Sequence, residues 1–363
     1  MRIVHLYKAY PPVFGGIEQH LRDLCEGLAA RGHQVTALTV APGRRTRITD
    51  RGGVRLITAA GLATLASTPL SLMQLWWARR LSADVVHLQM PYPPGDLAAR
   101  LVAGAPALVV SYQSDVVRQR RLLAWYRPLL EQTLQRARGI MVSNPRLLDS
   151  SPWLAPHRQR CAIVPLGVDV SRFAPGTRVH HAPRIGFVGR LRYYKGLPTL
   201  IDACAQLPET VECLIAGDGP GRAALERQAH ARGVASRLRF VGDVAESELP
   251  AFYRSLDLFV LPSHLRAEAF GIVLAEALAS GVPCISTELG TGTSWVNQHG
   301  TTGLVVPPGD ATALADAIRR LLADPGLRQQ MATAARARAL EQFDRRVMLD
   351  RVEQAYHRAV GGA

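Results

Sequence analysis

The chain is short of lysine, sparing with cysteine and free of long apolar runs. Of its 43 basic residues only Lys8 and Lys195 are lysines. The five cysteines, Cys25, Cys161, Cys204, Cys213 and Cys284, are odd in number, scattered and never spaced C-x-x-C. They therefore read as reduced core fillers, with neither a disulfide frame nor a cysteine metal site. No stretch of eighteen or more apolar residues escapes charged or turn-forming residues, so no membrane-spanning helix is expected. The N-terminus opens on a strand-like run where a leader would have a charged, apolar and small-residue order. The expectation is a cytosolic protein, or one held peripherally on the cytosolic face of a membrane. A dinucleotide fingerprint is missing as well: neither Gly15-Gly16 nor Gly186-Phe-Val-Gly189 fits G-x-G-x-x-G.

What is present is length, apolar content and an uneven charge. At 363 residues, with 48% apolar, the chain suits two domains of ordinary size, each able to build a core. Residues 1–173 carry 22 Arg and Lys against 10 Asp and Glu, while the remainder carries 21 against 19. Most of the formal charge of +14 thus sits in the first half. Such a field attracts phospholipid headgroups, lipid diphosphates or nucleic acid.

Apolar runs and helical spacings alternate along the chain. Strands are expected at Ile3–Leu6, Val35–Val40, Val54–Ile57, Val85–Leu88, Ala107–Ser111, Gly139–Val142 and Cys161–Val164, with helices at Ile17–Ala30, Pro69–Leu81 and Leu122–Arg136 between them. The scheme restarts at Arg184–Val188, followed by Leu197–Gln206, Glu212–Ala216, Gly221–Arg232, Leu238–Val241 and Glu246–Ser255. This alternation predicts an α/β protein with two doubly wound, mostly parallel sheets facing across a cleft. The turn-rich segment Pro165–Gly176 reads as the connection. Domains are expected at 1–173 and 174–343, with a last helix over 344–363 crossing back to the first.

Five segments carry chemistry. Arg266-Ala-Glu268-Ala-Phe270-Gly271-Ile272-Val-Leu-Ala-Glu276 places two carboxylates eight positions apart, between apolar runs at Leu256–Leu261 and Val282–Ser286. Read as strand, loop and helix, it leaves amides after Phe270 free for an anion and sets Glu276 further along the helix. Gly189-Arg190-Leu-Arg192-Tyr-Tyr-Lys195-Gly196 puts cations at the end of a strand, where Arg190 acts as a fork and Lys195 as a point charge toward a diphosphate. Gly217-Asp218-Gly219-Pro220 is a tight turn opening a helix, and Asp243 closes Phe240-Val241-Gly242-Asp243, where a base can meet backbone groups. In the first half, Gly15-Gly16 lets backbone approach a ligand where a Cβ would collide.

Taken together, these motifs resemble the retaining glycosyltransferases of the GT-B fold, family four, over almost the whole chain. Thr291-Gly-Thr-Ser294-Trp-Val-Asn297 and Tyr112-Gln-Ser-Asp115 resemble the branch containing bacterial mannosyltransferases of O-antigen and exopolysaccharide assembly. The resemblance implies a sugar nucleotide donor, either a GDP or a UDP sugar, with GDP-mannose favoured, and a glycan or lipid-linked acceptor. It implies that Glu268 contacts donor sugar hydroxyls, that Phe270, Gly271 and Ile272 offer backbone to the diphosphate, and that Glu276 holds the ribose. Arg190 and Lys195 would stabilise the departing nucleoside diphosphate, with Gly15 and Gly16 closing over it. It implies no cofactor and no metal, and nothing here resembles the D-x-D metal motif of the other major glycosyltransferase fold.

The chain departs from the family at Gln113, where a histidine is common. Glutamine hydrogen-bonds but cannot titrate. For the acceptor or an anionic membrane surface, the first half offers Arg118, Arg120, Arg121 and Arg127 around Trp125 and Tyr126, and Trp76, Trp77, Arg79 and Arg80. The same residues also fit helices that pack Trp77, Leu81, Leu122 and Tyr126 inward, with arginines facing water. Two other classes compete. A nicotinamide oxidoreductase lacks its glycine fingerprint, and a nucleic-acid-binding protein explains the charge but not the recurring acids and glycines, so nucleic acid is not expected as a partner.

Overall fold

In this computed structural model, residues 1–12, 15–65, 68–104, 106–115, 120–176 and 182–361 are described. The chain divides into two compact units, Met1–Gly167 with Arg346–Ala363, and Val168–Arg345. Both are α/β.

The first unit comprises β1 (Arg2–Leu6), α1 (Gly16–Ala30), β2 (Gln34–Val40), β3 (Arg47–Arg51), β4 (Val54–Ala59), β5 (Ala63–Leu65), β6 (Thr68–Leu70), α2 (Leu72–Ala78), β7 (Val85–Met90), α3 (Pro93–Ala99), β8 (Ala107–Tyr112), α4 (Arg120–Arg136), β9 (Gly139–Val142), α5 (Pro145–Ser150) and β10 (Cys161–Ile163). Its main sheet has the order β10-β9-β8-β7-β1-β2-β4-β3. All pairings are parallel except β3 on β4. Every residue of β7 and β8 is buried, as expected for strands covered by helices on both faces. α1 meets the sheet with Leu21, Leu24, Cys25 and Leu28, one apolar stripe at helical spacing.

The second unit comprises β11 (Arg184–Val188), α6 (Leu197–Cys204), β12 (Glu212–Ala216), α7 (Arg222–Ala231), β13 (Leu238–Gly242), α8 (Leu249–Arg254), β14 (Leu258–Leu261), α9 (Ile272–Ala279), β15 (Cys284–Thr287), α10 (Thr293–Val296), β16 (Gly303–Val306), α11 (Ala311–Ala323) and α12 (Pro325–Arg338). Its six strands run parallel in the order β13-β12-β11-β14-β15-β16. The order reverses between β11 and β14, so the loops leaving these two adjacent strands open side by side. Open sheets bind ligands at such a switch point.

The last helix, α13 (Arg345–Gly361), belongs to the first unit from Arg346 onward. It buries Met348, Leu349, Val352, Ala355, Tyr356 and Ala359. The Tyr356 hydroxyl lies 2.6 Å from His87 Nδ1, and His87 Nε2 lies 2.7 Å from Ser111 Oγ. The boundary falls between Gly167 and Val168. The segment that follows is held in the second unit, because Val168 N donates to the Phe343 carbonyl and Arg336 Nη1 donates to the carbonyls of Val170 and Phe173.

Three local features differ from the sequence expectation. The helix expected over Pro69–Leu81 is a strand, β6, followed by a shorter helix. Ser71 stops the strand and starts α2 by accepting from Gln74 N. β3 is exposed along its whole length and its sequence, RITDR, shows no apolar run; β5 is short and exposed, and β6 is short and half-buried. β16 follows a glycine-rich turn and is too short to stand out. Among the described residues, no helix is long and apolar enough to cross a membrane.

Candidate active site

The second unit brings two of the expected residues into direct contact. Lys195 Nζ lies 2.6 Å from Glu268 Oε2, and both side chains are about nine-tenths buried. The Ser263 hydroxyl donates to the same carboxylate oxygen at 3.1 Å. Burial works against the ammonium, but the adjoining Glu268 carboxylate outweighs it and holds the Lys195 pKa above the ordinary lysine value. A charged lysine and an acceptor-only carboxylate therefore stand at the carboxyl ends of neighbouring strands β11 and β14.

Backbone sterics fix this pair. Lys195 ends a short turn, Tyr193–Lys195, after which Gly196 takes φ 70°. A Cβ on Gly196 would sit 1.9 Å from the Pro262 carbonyl oxygen, so only glycine lets this turn lie against the start of the Glu268 loop. The His264 amide donates to the Tyr194 carbonyl and joins the two loops a second time. The Glu268 loop is tied at its far side, where Thr291 Oγ1 donates to the Glu268 carbonyl and Gly292 N to that of Ala269.

Phe270, Gly271 and Ile272 lead from that loop into α9. Phe270 is buried against Trp295 and Phe343, with ring centroids 6.5 Å and 6.0 Å away. Gly271 has φ 77° and is the N-cap, and no side chain caps the helix. The Leu274 amide donates back to the Gly271 carbonyl, and the Ile272 and Val273 amides are left to a ligand or to water. Glu276, on the same helix, accepts from the Tyr253 hydroxyl at 2.7 Å. Burial, and then the Glu276 carboxylate, push the Tyr253 phenol well above its usual pKa, so it acts as a donor.

The remaining expected residues are placed as follows. Arg190 is exposed, and its guanidinium has no hydrogen-bond or ion-pair partner among the described residues, though its carbonyl accepts from Arg192 N. Its loop is braced by the Gly217 turn: a Cβ on Gly217 would come within 2.1 Å of the Gly189 carbonyl oxygen. Asp243, also exposed, follows Gly242, whose carbonyl accepts from Gly217 N. A cavity of about 280 Å3 lined by Gly196, Thr199, His264 and Gly309 adjoins the lysine turn.

In the first unit, Gly15 and Gly16 begin α1 after β1, and a Cβ on Gly15 would meet Glu18 Oε2 at 2.0 Å. Gln113, directly after β8, is buried and donates through Nε2 to Gln89 Oε1 at 2.8 Å. Nearby, Asp115 Oδ1 accepts from the hydroxyls of Tyr112 and Ser151. Sequence reasoning missed Ser263 and Tyr253 and gave Thr291 no role. Tyr253 and Thr291 each act on a glutamate 23 residues away, a separation that no local pattern signals, whereas Ser263 lies five residues before Glu268 in the same loop.

Comparison with known proteins decides the family. Residues 14–172 match Glycosyltransferase Family 4, and residues 173–338 match Glycosyl transferases group 1. The D-rhamnosyltransferase WbpZ of Pseudomonas aeruginosa is 38% identical, over 94% of this chain and 92% of its own length. The chain belongs to the GT-B glycosyltransferases of family four. This glycosyltransferase is also 33% identical to the O-antigen chain mannosyltransferase C of Escherichia coli, over 98% of both chains. Among solved structures, sucrose-phosphate synthase from Thermosynechococcus elongatus shares the fold, with TM-score 0.82 at 22% identity over 100% of both chains. So does Anabaena HepE in complex with UDP-glucose, with TM-score 0.77 at 20% identity over 98% of both.

Proposed function

We propose that this glycosyltransferase moves a hexosyl group of manno configuration from a nucleoside diphosphate sugar, GDP-mannose being favoured, to a glycan or lipid-linked acceptor in cell-surface polysaccharide synthesis. The observation that carries the reading is the buried Lys195–Glu268 contact beside the uncapped start of α9. It sets a fixed cation, free amides and a carboxylate within one pair of loops. The relatives' names support the sugar, since D-rhamnose is 6-deoxy-D-mannose and both share one ring configuration. A UDP-linked donor is the second reading, supported by the UDP-glucose complex of HepE.

In the proposed reaction the bond from the anomeric carbon to the phosphate oxygen breaks and one to the acceptor oxygen forms on the same face. The acceptor's proton passes to the leaving phosphate. Lys195, Arg190 and the Phe270, Gly271 and Ile272 backbone stabilise the departing diphosphate; Glu268 binds sugar hydroxyls, Glu276 the ribose, and Asp243 borders the base. No step draws on a divalent ion. For Gly15, Gly16 and Gln113 we keep the roles the family resemblance implies, supported by their places just beyond the carboxyl ends of β1 and β8. Because the leaving phosphate takes the proton, Gln113 need not titrate.

Association with an anionic membrane face is part of the proposal. Leu62, Leu65, Leu72 and Trp76 of the first unit are exposed, Arg80 stacks 3.4 Å over Trp76, and Trp125 is 88% exposed. Trp77 is packed against the core, Tyr126 is buried on Asp96, and Arg127 pairs with Glu131. Arg118 lies outside the described residues, as do the side chains of Arg120, Arg121 and Leu122. Co-sedimentation with anionic vesicles no greater than with neutral ones at low salt would remove this part.

A panel of GDP and UDP sugars scored by mass spectrometry for slow donor hydrolysis, with and without a chelator, tests the rest. GDP-mannose should be consumed fastest, and equally in both conditions. Hydrolysis of none of the sugars would refute the assignment.

A further inference from the structure

A second cavity, of about 490 Å3, opens in the first unit and is lined by Gln135, Arg136, Arg138, Arg160, Arg358 and Val360, among others. Four arginines are among its lining residues, and no Asp or Glu is. It lies at the amino ends of β9 and β10, because α4 ends at Arg136, β9 starts at Gly139 and β10 starts at Cys161. Gly15, Gly16 and Gln113 sit past the carboxyl ends of strands in the same parallel sheet, so the cavity belongs to the opposite edge.

Two of the four arginines are fixed walls. Arg160 Nη1 donates to the carbonyls of Gln135 and Ala137 at 2.8 and 2.7 Å, and Arg138 Nη1 donates to the Ala359 carbonyl at 3.2 Å. These bonds satisfy the final carbonyls of two helices and orient the guanidiniums, leaving donors unspent on each. Arg136 and Arg358 are exposed, and their guanidiniums have no hydrogen-bond or ion-pair partner among the described residues. Four like charges line one concavity, with no acidic side chain among its lining residues. Guanidiniums fork onto phosphate oxygens with two parallel bonds, and a cavity of this volume is of small-ligand size.

We infer that this cavity is an anion site for a phosphate-bearing ligand, with Arg136 and Arg358 as its free clamps and Arg138 and Arg160 as its fixed ones. His157 gives the site a local reporter, since Arg160 Nη2 donates to its Nδ1 at 2.6 Å. Burial, and then the Arg160 charge, hold the His157 pKa below the ordinary histidine value. An anion on Arg160 screens that charge and raises it.

The test titrates the full chain with inorganic pyrophosphate at low salt and follows the His157 ring signals by NMR, assigned with His157→Asn. Saturable movement is expected in the native chain, with affinity at least about tenfold weaker in Arg136→Ala/Arg358→Ala, the scale of losing two charge-assisted contacts. Donor hydrolysis by that double variant should be unchanged. Phosphatidylglycerol and phosphatidylcholine vesicles form the second arm. Movement with the anionic vesicles but not pyrophosphate, lost in the double variant, supports the site and names a lipid headgroup as the source. Ring signals that respond to neither probe, or equal affinity in the native and doubly substituted chains, overturn the inference.

Discussion

Lys195 and Glu268 are 73 residues apart in sequence, yet their charged groups meet at 2.6 Å in a nearly water-free setting. A pair so buried is costly to break from one side, because the survivor keeps its charge and loses its partner. Lys195→Met is therefore expected to lower unfolding free energy by about 3 kcal/mol in urea titrations, and Lys195→Met/Glu268→Leu to regain most of it. Glu268→Gln keeps the shape and should cut donor hydrolysis by about 100-fold while leaving nucleoside diphosphate affinity nearly intact. Full activity in that variant would argue that the pair serves stability alone.

Glu276 shares its carboxylate with Tyr253. Glu276→Ala should weaken nucleoside diphosphate binding by about tenfold, near 1.4 kcal/mol, in calorimetric titration. Tyr253→Phe retains the carboxylate and is expected to weaken binding much less. Equal losses in both would mean that the glutamate acts only through the tyrosine.

Asp96 gives the first unit an unusual response to pH. Burial outweighs its hydrogen bonds from Thr133 and Tyr126 and the Arg100 charge, and lifts its pKa to about 7. The unfolded chain releases that proton near pH 4, so between about pH 4 and pH 7 the folded state holds the extra proton and stability falls as pH rises. Asp96→Asn should flatten this part of the profile, seen as a smaller Tm drop between about pH 5 and pH 8.

Histidines act in the opposite direction. Burial lowers His5 to about 3 and His20 to about 4, and holds His87 far below its ordinary value. As pH falls through about 6.5 the unfolded chain gains protons that the folded chain refuses, so stability is lost toward acid. Neither ring nitrogen of His5 has a hydrogen-bond partner. His5→Leu should raise Tm at about pH 5 and leave it nearly unchanged at about pH 8. An unaltered acid limb in this variant would place the proton uptake elsewhere.

The α/β alternation was readable because buried parallel strands such as β7 and β8 appear as mostly apolar runs, while helices such as α1 show one apolar stripe. Strands β3, β5 and β6 carry no such mark, since none of their residues is fully buried and their pairing depends on neighbours. At the candidate site, the loop-to-helix position of Glu268 and Glu276 followed from apolar runs on either side. That Lys195 would touch Glu268 did not. The contact depends on the sheet placing β11 next to β14 and on Gly196 fitting under the Pro262 carbonyl, both long-range facts. The four-arginine cavity was equally hidden, because Arg136, Arg160 and Arg358 come together only through tertiary folding.

Tyr356, seated on His87, makes the first unit discontinuous in sequence: its closing helix is encoded after the whole of the second unit. A nascent chain leaving the ribosome has the whole of Val168–Arg345 before it has that helix. Until α13 emerges, the earlier-encoded lobe lacks the apolar face that Met348, Leu349, Val352 and Tyr356 supply to its core.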